Sequence, residues 1–407
     1  MDTIKNELDL NNSNIIQETE ISKKLTIDGI TKTHPVYRIR LDQLYYNDQN
    51  DRIATWISKY NAENGILDLD SPIYNEIIHD MIKESNPDAF KKTKNNIRDF
   101  EQRESGVVLR DGRIIDGNRR FTCLRELSQD DSKFNYFDAV ILNNTYDDDY
   151  GKKTIKSLEL TLQHGTEKQV DYDPINKLVG VYRDLVEEGH AFDDEEYARC
   201  INQKVSEVRK SKELAKLMVE FLDFINAPKQ IYIAMNMNIN GPLVEMYGVL
   251  KKISDDDMRE RFKKHMFTAL LYGAGDMTRD IRRFKKLAES ELSSDYLRDV
   301  DDISDAVIEK IADIKEPITQ EVISEIFKSD AGTARKVEEI ISNEFDRVSA
   351  SMAKEAPLNL VDQATAKLQA IDRTSISIVD QMEELEKKLK ALKKIVEERW
   401  EMLNELK

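Results

Sequence analysis

The stretch Arg110–Gln129, RDGRIIDGNRRFTCLRELSQ, sets the architecture expected for the front of this chain. Asp111-Gly112 between apolar runs is a hairpin signal, because glycine accepts the positive φ that tight hairpin turns demand. Phe121, Leu124 and Leu127 then recur at helical spacing. Between the second strand and the helix stand Asp116, Gly117, Asn118, Arg119 and Arg120. A helix start carries partial positive charge on its free N–H groups and ordinarily favours acids. Two arginines there point to an anion held between them, since N–H groups and guanidinium forks both suit phosphate. Gly117 is expected to let the backbone approach that ligand. The alternative is that Asp116 caps the helix or holds one arginine while the other is solvated.

On either side of this stretch, HPVYRIRLDQLYYN and FNYFDAVILNN read as strands, and residues 50–100 as helices. Residues 34–150 are thus expected to form a small α+β domain, preceded by a flexible arm over 1–33. The strand signal fades after Thr154. A helical domain over 151–228 and a helical middle over 229–355 are expected to follow. From Val361 to Leu406, positions spaced alternately by three and four are apolar at all but Ser375 and Arg399. That is a coiled-coil seam over 361–407, which needs a partner helix, either in a second chain or returning within this one.

Within 192–225, FDDEEYARCINQKVSEVRKSKELAKLMVEFLDFI, two apolar helical patterns flank the polar break Asn202-Gln203-Lys204. The spacing fits a helix-turn-helix, with Lys204, Arg209, Lys210 and Lys212 as candidate DNA contacts. An ordinary helical hairpin with a basic solvated face is the plainer reading.

Composition bounds the function. The 407 residues are 40% hydrophobic and 34% charged, with a net charge of −17. Bulk attraction to nucleic acid is excluded, and only a local basic site remains open. No run of about 18 apolar residues exists, so no membrane span is expected. The acidic first residues lack the apolar core of a secretory signal. Two cysteines far apart, Cys123 and Cys200, favour a cytoplasmic protein without disulfides, and no Cys/His set has zinc spacing. Cys123 falls on the apolar face of a helix and is expected in the core.

The quoted stretch resembles the ParB/sulfiredoxin superfamily, whose members carry a Gly-Glu-Arg-Arg box at a helix start. The matching residues are Gly117, Asn118, Arg119 and Arg120. Upstream, IRLDQLYYNDQNDR ends at Arg52 where the family has an Asn-Pro-Arg element. Downstream, LELTLQHG and Asp171-Tyr172-Asp173-Pro174 stand where partition proteins have a second box and an Asp-Leu-Asn-Pro element. The four elements agree in order over residues 36–225. Asn118 replaces the family's glutamate, Leu160 replaces an asparagine, and His164 or a neighbour replaces an arginine. Glu159 and Gln163 survive as polar positions four apart.

The resemblance implies a nucleotide-binding α+β domain followed by all-α domains and the coiled coil. It implies that Arg52, Gly117, Asn118, Arg119 and Arg120 bind a nucleoside triphosphate (CTP or ATP), with Glu159 near a Mg2+ ion. The function expected first is a DNA-associated partition or mobile-element protein, oligomeric through 361–407, in which the triphosphate controls a conformational switch. A rival is an enzyme of the same fold, an NTPase, nuclease or phosphotransferase, with Asp116, Glu159 and Gln163 as candidate catalytic residues. A third is a coiled-coil scaffold whose nucleotide site has decayed. The thiol chemistry of sulfiredoxins is not expected, because Asn118 follows the glycine where those enzymes have cysteine.

Overall fold

The computed structural model describes residues 7–27, 29–144, 149–164, 173–272, 277–290, 293–315, 318–369, 371 and 382–406. An α+β front part is followed by helices. The strands are β1 (Ile16–Ile27), β2 (Ile30–Arg40), β3 (Gly106–Leu109), β4 (Ile114–Asp116) and β5 (Tyr136–Leu142). They form one sheet in the order β1-β2-β5-β3-β4. β3 runs parallel to β5, and the other pairs are antiparallel. β3 and β5 lie inside the sheet and are covered on both faces. That is why GVVL reads as an unbroken apolar run and not as an alternation.

Helices α1 (Ala54–Asn64), α2 (Tyr74–Ser85), α3 (Pro87–Phe100) and α4 (Asn118–Leu127) cover one face. Ile78, Phe90, Ile97, Phe121 and Leu124 pack there on Ile39, Val108, Ile114 and Phe137. Helix α5 (Asp149–His164) covers the other face, its Ile155 and Leu158 packed with Val107, Leu109, Ile115 and Val140. The period-two alternation of a strand splits Val108 from Val107 and Leu109, and Ile114 from Ile115, between these two cores. A domain boundary at 150 would therefore separate α5 from the sheet it covers; α5 belongs to the front layer.

Residues 16–27 form strand β1, where the expectation is a flexible arm. Ile16 and Leu25 are buried, and Ile27 pairs with Ile30 across the connection. The cue is the dipeptide Asp28-Gly29, the same signal as Asp111-Gly112, and Gly29 has φ 73°. Only Tyr37–Arg40 of β2 pair with β5, so the distal half of this hairpin extends beyond the sheet.

The chain continues through α6 (Pro174–Leu185), α7 (Asp194–Cys200), α8 (Val205–Phe224), α9 (Ile231–Asn236), α10 (Asn240–Leu250), α11 (Asp256–Tyr272), α12 (Met277–Ala288) and α13 (Ser293–Ala312). Residues 1–342 form one compact unit and 343–407 a second. The expected boundary near 355–361 falls inside a helix running Ala331–Gln369. A terminal helix, Met382–Glu405, carries the later seam positions; Leu389, Val396 and Leu403 are exposed on it. Ser375 and Ile378 lie outside the described residues. Among the described residues no helix is long and apolar enough to cross a membrane.

Candidate functional site

The junction between β4 and α4 is built on one aromatic ring. Phe137 of β5 lies beneath it, in edge contact with Phe121, which in turn meets Tyr46. A Cβ on Gly117 would stand 2.7 Å from Phe137 Cζ, and one on Gly106 would stand 2.3 Å from it. Gly117 also holds φ 104°, a conformation that side chains rarely adopt. Two internal demands thus act on this glycine besides the room for a ligand expected of it. It turns the chain from strand to helix and clears the Phe137 ring.

Gly117 is the N-cap of α4, and no side chain caps the helix; its first turn contains no acid. Asp116 does not cap. Its Oδ2 accepts from Arg120 Nη2 at 3.0 Å and lies 3.5 Å from Lys23 Nζ. So the aspartate holds an arginine, and the helix N-terminus stays open toward a cleft of about 540 Å3. This cleft gathers Arg52, Asp116, Gly117, Asn118, Arg119, Arg120 and Gln163, seven of the eight residues expected at the nucleotide and catalytic site. Cations dominate its lining: Lys23, Lys24, Arg52, Arg103, Arg119 and Arg120 face only Glu104 and Asp116.

Arg119 is the exceptional group. Its side chain is half-buried, with no ion pair or hydrogen bond among the described residues. Burial first, then the cations of Arg52 and Arg120, pull its pKa below the ordinary arginine value. Beside it, Asn118 Oδ1 and Arg120 Nε are buried without a hydrogen-bond partner among the described residues. An anion entering here would meet the Arg120 Nε donor, the uncapped N–H groups of α4 and positive charge already in place; Asn118 Oδ1 is an acceptor and adds nothing to it.

Arg52 is positioned from outside the sheet. It sits in a short 3-10 turn, Asp51–Ile53. Asn176 of α6 brackets that turn: its Nδ2 donates to Arg52 O at 3.2 Å, and its Oδ1 accepts from Thr55 N at 3.0 Å. Asp173 caps α6 and fixes where Asn176 falls.

Glu159, the expected metal ligand, is elsewhere. It is buried beneath the cleft lining in a cluster with Asp51, Lys156, Arg183 and Asp184. Lys156 Nζ lies 3.1 Å from Asp51, 3.7 Å from Asp184 and 3.9 Å from Glu159. The ammonium occupies the centre that a cation would need. Glu159 Oε1 also accepts from Gln163 Nε2 at 3.1 Å. Among the described residues no group of three acidic, His or Cys side chains could hold a metal. The donor set does not fit Mg2+ coordination by Glu159, and the carboxylate has no open path to phosphate. Burial first pushes the Glu159 pKa up to about 7, helped by Asp51 and Asp184 against the pull of Lys156. Asp184 rises to about 7 for the same first cause. Asp51 is held below the carboxylate range, because Lys156 and Arg183 outweigh its burial.

Sequence reasoning misses Lys23 and Lys24, which fall in the expected arm. Lys23 Nζ donates to Ser105 O at 2.6 Å and closes one wall. It also misses the buried cluster, whose members come from three elements far apart in sequence. Cys123 is fully buried and its thiol is pushed up to about 12, chiefly by burial, as a core residue should be.

The candidate DNA contacts lie on α7 and α8, joined by a turn in which Asn202 has φ 52°. Asp193 and Glu196 form a capping box at the start of α7. Arg209 donates to Asp194 and Glu195 at 3.1 and 2.8 Å, and Lys212 donates to Asp194 at 3.0 Å. Two of the four expected contacts are thus paired with acids of the preceding helix. Lys204 and Lys210 are exposed.

No family model and no curated protein matches this chain. Among solved structures it is similar to a Pnob8-like ParB-N domain, at 10% identity and a TM-score of 0.31, over 80% of this chain and 98% of that one.

Proposed function

We propose that the cleft at the start of α4 binds a nucleoside triphosphate and that the chain is a nucleotide-responsive, DNA-associated protein of the partition type. The observation that carries this is Arg119. A half-buried guanidinium with no ion pair among the described residues, beside Arg52, Arg120 and an uncapped helix N-terminus, is costly unless an anion completes it. The volume, about 540 Å3, is within the range of small-molecule sites. The sequence resemblance supplies the triphosphate class and the DNA association.

A binding role is favoured over a hydrolytic one. Asp116 is neutralised by Arg120 and Lys23, and Glu159 is buried beside Lys156 and is not part of the cleft lining. Neither is free to act as a general base, which must reach the proton it removes. Any Mg2+ would arrive with the nucleotide, liganded by phosphate oxygens and water.

Calorimetric titration with CTP, ATP, GTP and UTP, each with and without Mg2+, tests this. Charge-assisted hydrogen bonds contribute roughly 1.5–3 kcal/mol each. Arg119→Ala with Arg120→Ala should therefore weaken binding by about a hundredfold or more. Wild type that binds none of the four, or a folded double variant that binds as tightly, would make the arginines structural.

A further inference from the structure

Helix α12 carries a second, unrelated electrostatic feature. Its 12 residues, MTRDIRRFKKLA, contain five cations and one acid in a chain of net charge −17. Ile281, Phe284 and Leu287 are buried and anchor one side of the helix. Arg279, Arg282, Arg283 and Lys286 recur at i, i+3, i+4 and i+7, so they form one stripe on the opposite side. The stripe is about 10 Å long at 1.5 Å per residue. The side chains of Arg279 and Arg282 are 62% and 61% exposed.

α10 packs beside α12 and extends the patch. Arg282 pairs with Glu245, and seven residues further along each segment Lys252 pairs with Glu289. Lys251 and Lys252 therefore flank the C-terminal end of the stripe, both exposed. Asp280 lies 3.9 Å from Arg279 and 3.5 Å from Arg283. Exposed pairs of this kind contribute about 0–1 kcal/mol, so an incoming phosphate can displace them at little cost.

We infer that the α12 stripe, flanked by Lys251 and Lys252, is a docking surface for the phosphate backbone of a nucleic-acid duplex, separate from α8. A protein partner would need apolar or aromatic anchors at the centre of its interface. Among the described residues no large apolar side chain between Phe100 and Leu358 is exposed. A membrane surface would want the same apolar side chains for insertion. A phosphate backbone needs only a row of cations, and three of the four here are arginines, whose forks match phosphate oxygens. Such contacts position without reading sequence. The surface therefore supplies affinity and register to whatever else the protein recognises.

The test uses the full-length chain and a fluorescently labelled duplex of arbitrary sequence, read by anisotropy across a salt series. Arg279→Ala/Arg282→Ala/Lys286→Ala should weaken binding at least tenfold at low salt. It should also reduce the slope of log K against log salt by about 2.7, near 0.9 per lost contact. Arg279→Lys/Arg282→Lys should retain most of the slope, since charge alone releases counterions. Arg279→Gln/Lys286→Gln, changed only at exposed positions, serves if the triple variant is misfolded by circular dichroism; its expected slope loss is about 1.8. Arg209→Ala/Lys210→Ala separates the α8 contribution. Folded variants with wild-type affinity and slope overturn the inference. So does wild type that binds no duplex at low salt, or that binds phosphatidylserine vesicles or polyglutamate through these residues and not DNA. Nucleotide titration of the same variants should be unchanged, which keeps this outcome distinct from failure of the cleft.

Discussion

Gly117 lines the cleft and is also demanded by the fold. Its φ of 104° and the 2.7 Å approach of a Cβ to Phe137 leave no place for a side chain. Gly117→Ala should lose about 2–4 kcal/mol, combining left-handed strain with overpacking. Chemical denaturation checks this, and a loss under about 0.5 kcal/mol would refute it. Arg119 is the opposite case: among the described residues it makes no hydrogen bond or ion pair, so its replacement should leave stability nearly intact and weaken binding. The pair of arginines is legible in the sequence because strand, glycine and helix are local signals. That Arg120 is held by Asp116 while Arg119 is not is illegible there, because it depends on how the turn directs each side chain.

Among elements, the contact of α5 with α6 and the Asp51 turn is governed by an excess of one carboxylate. Asp51, Glu159 and Asp184 face only Lys156 and Arg183 in a buried site. Glu159 and Asp184 are raised toward 7, from ordinary values of 4.5 and 3.8, so the folded state holds a proton that the unfolded state releases earlier. Stability from this source is full below about pH 4, falls as pH rises toward 7 and is flat above. The lowered Asp51 acts oppositely and contributes only while pH stays above its depressed pKa. Glu159→Gln removes the surplus charge. Its unfolding free energy relative to wild type, from chemical denaturation, should become more favourable from pH 5 to pH 8 by on the order of 1–3 kcal/mol. A difference that does not change with pH would show that the proton is not held there. Arg52 adjoins Asp51, and Gln163 bonds Glu159, so this cluster also sets the back wall of the cleft.

At the scale of the molecule, the terminal helix presents apolar side chains: Leu389, Val396, Trp400 and Leu403 are all exposed. With the heptad spacing of the sequence, this supports self-association through that helix. A chain truncated after Gln369 keeps the preceding helix whole and should show a lower oligomeric state by light scattering. Equal protomer numbers in the full and shortened chains would exclude the tail as the joining element. The acidic chain also confines nucleic-acid contact to local patches. α12 is a patch that sequence reading passes over, because its charges look like an ordinary solvated face until the neighbouring Lys251 and Lys252 are brought alongside.

Residue order alone was enough to place the elements whose signals are local. These are the Asp-Gly turn before β4, the strand-to-helix junction at Gly117 and the polar break between α7 and α8. The β1–β2 hairpin carries the same Asp-Gly cue and escapes notice because its strands are polar on their exposed side. Which charges are satisfied came from the packed fold and from nothing short of it. Asp51, Glu159 and Asp184 meet Lys156 from three separate elements, so a glutamate at motif spacing becomes the partner of a lysine and not of a metal. Arg119 has no such partner among the described residues. Periodicity records which face of an element is apolar; it does not record which opposite charge the fold brings within about 4 Å of a given side chain, and at that range burial makes the charge decisive.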